Sequence, residues 1–98
     1  MPSITSTTRR IRSIHRVYTE DIRRKSIIQA VATFFEDFTL QPTTGFYRGR
    51  AEASIIIEII GARERQIKSL AARIREINGQ KSVLILSAKC RVQKIAKR

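Results

Sequence analysis

Apolar residues recur along this chain with two different periods, and the switches between them divide it into six segments. The clearest strand is residues 54–60, SIIIEII, where Ile55, Ile57 and Ile59 share one parity and Ile56, Glu58 and Ile60 the other. Residues 63–77 change to helical spacing, with Ile67, Leu70, Ala71, Ile74 and Ile77 on one stripe and Glu64 one turn before Lys68 on the surface. Asn78-Gly79 stops that helix, and residues 82–88, SVLILSA, follow as a strand that is apolar on both parities. Upstream, residues 11–18, IRSIHRVY, read as a strand. Thr19-Glu20-Asp21 then offers an N-cap with acids in the first turn, and Ile27, Ile28, Val31, Phe34 and Phe35 carry a helix over residues 22–36. Residues 38–46 place Phe38 and Leu40 at period two; Pro42 cannot donate to a ladder, which predicts an edge strand or a break there. Tyr47-Arg48-Gly49-Arg50 is the turn into the strong strand, with Gly49 able to take a positive φ.

The order β-α-β-β-α-β in 98 residues predicts a ferredoxin-like α+β fold, a four-stranded antiparallel sheet of order 4-1-3-2 with two helices on one face. Such a sheet needs one apolar face, yet its third and fourth strands are apolar on both. The open face is therefore expected to pack on another copy of the chain. Ile56, Glu58 and Ile60 would lie in that homo-oligomer interface, with Arg16 on the first strand as the basic partner Glu58 needs. The same topology gathers Thr19–Asp21, the Tyr47–Arg50 turn and Asn78–Lys81 at one end of the sheet, and both termini at the other.

Charge sharpens this picture. Nine of the net +12 charges sit in residues 1–18 and 89–98, which hold no acid, while the middle is nearly balanced. The chain divides into a flexible basic arm over 1–10, a folded domain over 11–88 and a second basic arm over 89–98. Charge concentrated in arms points to a polyanionic partner, nucleic acid or an acidic nucleoprotein surface. The nucleic-acid candidates are Arg9, Arg10, Arg12, Arg16, Arg48, Arg50, Lys89, Arg91, Lys94, Lys97 and Arg98. The third strand lacks the aromatics on which RNA bases stack in other sheets of this topology, so contact would run through phosphates with little sequence readout.

Little in the chain points to catalysis. Cys90 is the only cysteine, which excludes an internal disulfide and a cysteine-based zinc site and fits a reducing, cytoplasmic setting. There is no phosphate-binding loop, no dinucleotide glycine pattern and no apolar run of membrane-spanning length. Glu20 and Asp21 are explained by helix capping rather than by a metal, and His15 on its strand reads as structural or solvent-facing. The expectation is a non-enzyme without cofactor or metal.

Three segments carry a resemblance: Val17-Tyr18-Thr19-Glu20-Asp21; Gly45-Phe46-Tyr47-Arg48-Gly49-Arg50-Ala51-Glu52-Ala53-Ser54 with Ile57-Glu58-Ile59; and Asn78-Gly79-Gln80-Lys81-Ser82-Val83-Leu84. Together they resemble a group of short, uncharacterised proteins of bacteria and their phages or plasmids, over residues 14–86 and without the arms. The resemblance implies a prokaryotic or viral accessory protein and no defined activity. Its segments converge at one end of the sheet, which marks Thr19, Glu20, Tyr47, Arg48, Arg50, Glu52 and Gln80 as a ligand site. Three readings stand at this point. The leading one is a small accessory protein that binds nucleic acid or a nucleoprotein through its basic arms. The second is an oligomeric binder of an anionic small ligand or nucleotide, of the kind a phage would use in counter-defence. The third is a structural or assembly protein.

Overall fold

β1 (Thr5–Glu20) is the strand on which the other elements are hung. α1 (Arg24–Phe34), β2 (Thr39–Tyr47), β3 (Arg50–Ile60), α2 (Glu64–Asn78) and β4 (Leu84–Lys97) follow it. The computed structural model describes residues 5–97, with side chains described over residues 10–96. The sheet order is β2-β3-β1-β4 with every pairing antiparallel, the ferredoxin-like arrangement expected from the pattern. β2 runs unbroken through Pro42, opposite Ile55, because it is an edge strand and its outer side needs no donor there.

Register fixes which side of the sheet is dry. His15, Val17 and Thr19 on β1 pair with Ile59, Ile57 and Ile55 on β3, and all six are buried under the helices. α1 contributes Ile27 and Val31, and α2 contributes Ile67, Leu70, Ala71 and Ile74, so both helices present the stripe that their spacing requires. Half-buried Val83 and Ile85 of the fourth strand region, with Phe34, Phe35, Phe38 and Leu40, rim this core. Glu64 and Lys68 pair at 3.2 Å on the outer surface of α2.

The start of α1 departs from the capping expectation. β1 continues to Glu20, which pairs with Ser54, and the Asp21 N–H still donates to the Ala53 carbonyl at 2.9 Å. The ladder thus holds all three residues that were read as cap and first turn. α1 begins instead at Arg24, after Arg23 as N-cap, with no side-chain cap and no acid in its first turn. Sheet pairing won because Thr19 is committed to the interior, as described below.

The two basic segments, at one pole as the topology expects, are joined by strand pairing over their described residues. β1 and β4 pair from Tyr18↔Leu84 outward to Thr5↔Lys97, whereas β1 and β3 stop at Ile14↔Ile60. Beyond that point Thr5–Ser13 and Lys89–Lys97 form a two-stranded ribbon standing past the rest of the sheet. At about 3.3 Å per residue the ribbon is roughly 30 Å long. It accounts for much of the 56 Å long axis of the molecule. The ribbon forms because β1 and β4 are neighbours whose ends leave the sheet together, so each supplies the other's backbone partners.

Ile57 is fully buried between Val17 and Leu40. Ile57→Ala is expected to lower the free energy of unfolding by about 2–5 kcal/mol in a urea titration. The same substitution at Ile28, 39% exposed on α1, should cost well under half as much.

Candidate functional site

Where β1 ends, α2 ends and β4 approaches, polar side chains close on one another. Thr19 is 4% exposed and Asn78 9% exposed. Thr19 points inward because it shares the parity of His15 and Val17. Asn78 is the last residue of α2, and Gly79 takes φ 63° so that the chain can turn back. The Gln80 N–H then donates to the Arg75 carbonyl at 3.1 Å, which holds Gln80 beside Asn78.

The Asn78 amide is the centre of this cluster. Its Nδ2 donates to the Glu20 carbonyl at 2.9 Å, to Gln80 Oε1 at 2.9 Å and to Thr19 Oγ1 at 3.0 Å. The Thr19 hydroxyl in turn donates to Gln80 Oε1. The Glu20 carbonyl can only accept, so it places Nδ2 rather than Oδ1 of Asn78 on this side. Asn78 Oδ1 is left buried without a hydrogen-bond partner among the described residues. Beside the cluster, Arg23 donates to the Ile77 carbonyl and Arg24 binds Asp21 through both guanidinium and carboxylate edges. The Arg24 hydrogen bond holds the Asp21 carboxyl below its ordinary value, and the same bond raises Arg24.

The β2–β3 hairpin is a separate feature. Tyr47 pairs with Arg50, and the two residues between them, Arg48 at φ 51° and Gly49 at φ 79°, make the tight turn. Arg48 is a non-glycine residue in left-handed backbone, a position costing roughly 1–2 kcal/mol. Its guanidinium lies 5.2 Å above the Tyr47 ring. Phe46 and Tyr47 are 75% and 61% exposed, so the tip presents aromatic surface and arginine together.

The structure therefore splits the set of residues marked by sequence. Thr19, the Glu20 carbonyl and Gln80 meet around Asn78, whose position before Gly79 signals a helix stop and not a site residue. Tyr47, Arg48, Arg50 and Glu52 do not join them. Ser54 is the residue opposite Glu20, and Arg50 lies four residues further along β3, about 13 Å away. The tip overhangs the cluster instead of closing on it.

The remaining candidates fall in two places. Arg10, Arg12, Lys89, Arg91 and Lys94 lie on the β1–β4 ribbon, at the pole opposite Arg48 and Arg50. Arg98 lies outside the described residues, as do the side chains of Arg9 and Lys97. Arg16 is committed to Glu58 at 2.8 Å, the pairing expected from their parity, and Glu58 raises its pKa further. Around that pair the open face carries half-buried Ile14, Tyr18 and Ile56 and exposed Ile60, Leu84 and Leu86. A shallow apolar recess of about 310 Å³ runs along Ile14, Leu86, Ala88 and Cys90.

His15 is structural and buried. Its Nε2–H donates to the Ala62 carbonyl at 3.0 Å, and Nδ1 hydrogen-bonds with the Ser87 hydroxyl at 2.7 Å. Among the described residues no group of three or more His, Cys, Asp or Glu side chains is gathered as a metal site. No described helix is long and apolar enough to cross a membrane.

Solved structures share this fold at low sequence identity. CPII from Thiomonas intermedia K12, a nitrogen regulatory PII-like protein bound to ADP, AMP and bicarbonate, is 11% identical, covering 87% of this chain and 96% of that one, with a TM-score of 0.63. A DUF3240 family protein from Shewanella baltica OS155 is 14% identical over 78% of this chain and 86% of its own, with a TM-score of 0.60. A phage SAM lyase in its apo state is 17% identical over 86% and 89% of the two chains, with a TM-score of 0.62. A phage SAM lyase in complex with S-methyl-5′-thioadenosine is 16% identical over 87% and 90%, with a TM-score of 0.56. These likenesses establish the ferredoxin-like, PII-like α+β fold. No family model and no curated protein matches the sequence.

The Asp21–Arg24 pair generates a pH prediction. The folded pKa of Asp21 lies below the unfolded one, so the pair's stabilisation is present above the ordinary carboxylate range, about pH 4, and is lost as pH falls through the folded value. Urea midpoints measured from neutral pH down to about pH 3 should fall less steeply for Asp21→Asn than for the parent chain.

Proposed function

We propose that this chain is a small, non-enzymatic, homo-oligomeric binder of an anionic adenosine compound. The ligand would be held where the Tyr47–Arg50 hairpin of one copy reaches the polar cluster of another. The observation that carries the reading is the separation within one chain. Arg48, Arg50 and exposed Tyr47 stand about 13 Å or more past the end of β1 and its Thr19–Asn78–Gln80 cluster, so the groups that would take an anion and a ring would come together only when a second copy supplies one half. The open face gives the copies a reason to meet, since Ile60, Leu84 and Leu86 are each at least half exposed around the Arg16–Glu58 pair.

The neighbours support the ligand class. CPII binds ADP and AMP, and the phage lyase binds S-methyl-5′-thioadenosine, so adenosine is the moiety that recurs. Arginine suits the anionic part through bidentate, charge-assisted bonds, and Tyr47 and Phe46 offer faces for the base. Nucleic acid, the leading expectation from charge alone, draws no support from these neighbours.

Two measurements test this reading. Native mass spectrometry should show a dimer or larger closed oligomer, and Ile60→Asp should give monomer. A clean monomer for the parent chain at micromolar concentration would overturn the oligomeric half. For the ligand, ADP and AMP are titrated by calorimetry against the parent chain and against Arg48→Gly. Glycine relieves the positive φ, so Arg48→Gly should be at least as stable as the parent. It should nevertheless bind more than 10-fold more weakly, since a charge-assisted bond contributes about 1.5–3 kcal/mol. Unchanged binding in Arg48→Gly would remove the hairpin from the site. Release of S-methyl-5′-thioadenosine from SAM by the parent chain would overturn the non-enzymatic half.

A further inference from the structure

We infer that the β1–β4 ribbon is a second binding surface, shaped and charged to lie in the groove of double-stranded nucleic acid. The inference is independent of the ligand reading, since the ribbon and the hairpin are at opposite poles of the sheet.

The ribbon is long, unsupported and cationic. Thr5–Arg12 and Cys90–Lys97 pair only with each other, and an isolated two-stranded ribbon in water is marginal. Arg9, Arg10, Arg12, Lys89, Arg91, Lys94 and Lys97 fall within the ribbon, with no acid among them. None of the ion pairs among the described residues involves a ribbon cation, whereas Arg16, Arg24 and Lys68 of the body are all paired. The self-repulsion of such a ribbon is relieved when an anion lies along it.

The distribution of charge distinguishes the kinds of anion. Arg10, Arg12 and Lys94 share the parity of the open sheet face, whereas Lys89 and Arg91 share the parity of the helix side. A flat anionic surface, such as a membrane or an acidic protein, would meet only one of these faces. A duplex groove surrounds what lies in it with phosphates on more than one side, and the major groove, about 12 Å wide, admits a two-stranded ribbon. Ile11 and Ile95, 66% and 70% exposed on the same side as Lys89 and Arg91, add apolar surface of the kind that contacts thymine methyl groups. A second copy of the ribbon is disfavoured as the occupant by like charge.

Strand pairing also distinguishes the ribbon from two loose basic tails. The Gly61 N–H donates to the Ser13 carbonyl at 2.7 Å, so odd-numbered residues of β1 turn their backbone groups toward β3. Even-numbered ones face β4, which makes Arg10 and Val92 a hydrogen-bonded pair. Val92→Pro therefore removes a ladder donor and keeps every charge.

The test uses the full chain and fluorescence anisotropy at about 0.1 M salt. The probes are a mixed-sequence 20-base-pair DNA duplex, a single strand of the same length, polyglutamate and phosphatidylglycerol-containing vesicles. The duplex is expected to bind at least 10-fold more tightly than any other probe, with a log–log salt slope near −4 or steeper, as four or more neutralised phosphates require. Replacing Arg10, Arg12, Arg91 and Lys94 together by Ser, which leaves the ladder intact, should weaken duplex binding at least 100-fold and flatten the slope. Val92→Pro should weaken it at least 10-fold, with core amide exchange unchanged. No duplex binding, equal affinity for the single strand, a preference for vesicles or polyglutamate, or a Val92→Pro chain that binds like the parent would each overturn the inference. Neither variant touches Arg48, so titration of ADP against both reports separately on the ligand site.

Discussion

The double pairing of β1 is the constraint on which the rest of this molecule depends. One edge of β1 takes β3 and the other takes β4, so its parity is fixed from both sides. A slip of one residue in either ladder would turn Val17 out of the core and Arg16 into it. Because the two ladders are offset, one strand generates both ends of the molecule. At one end β3 outruns β1 and carries the hairpin with Arg48; at the other, β1 and β4 outrun β3 and form the ribbon. The polar cluster sits where β1 stops, since Thr19 is its last helix-facing residue and Glu20 supplies the carbonyl that Asn78 binds.

The Arg16–Glu58 pair gives the open face its particular character. As it stands, the pair is partly hydrated, with side chains 48% and 30% exposed, and an ion pair in that state contributes little to stability. Its meaning changes if the surrounding isoleucines and leucines are covered. Covering would desolvate both ions, and only a contact that keeps the pair intact would tolerate them. An apolar face with one ion pair at its centre therefore accepts fewer arrangements of a partner than a wholly apolar one. Specificity of packing, rather than strength, is what Glu58 adds to a strand that is otherwise isoleucine at every neighbouring position from Ile55 to Ile60.

Much of this was legible from residue pattern, and the failures share one cause. The alternation in SIIIEII and the stripe Ile67–Leu70–Ala71–Ile74 gave element type, buried face and sheet order, because burial imposes those periods directly. Arg16 could be matched to Glu58 for the same reason: topology and parity together name the neighbour. Local signals misled where a tertiary partner competed for the same groups. Thr19-Glu20-Asp21 has the composition of a cap, but β3 holds its backbone and Asn78 holds the Thr19 hydroxyl. Asn78 has the position of a stop, and only the turn at Gly79 shows that its amide faces inward. The basic segments lack hydrophobic alternation strong enough to announce strands, and their pairing follows from adjacency of β1 and β4 in the sheet. For the same reason the site was seen as one cluster: topology places its parts at one end but says nothing of how far a hairpin overhangs.

The distance between the two cationic poles decides whether they can act on one another. The molecule is 56 Å long, and at physiological ionic strength charges are screened over about 8 Å. An anion at the Arg48 hairpin therefore does little to the electrostatic potential at the ribbon, and the reverse holds equally. Any coupling between the poles has to travel through β1 and β3, the strands that connect them. Arg16 and Glu58 stand on those two strands and in the open face at once.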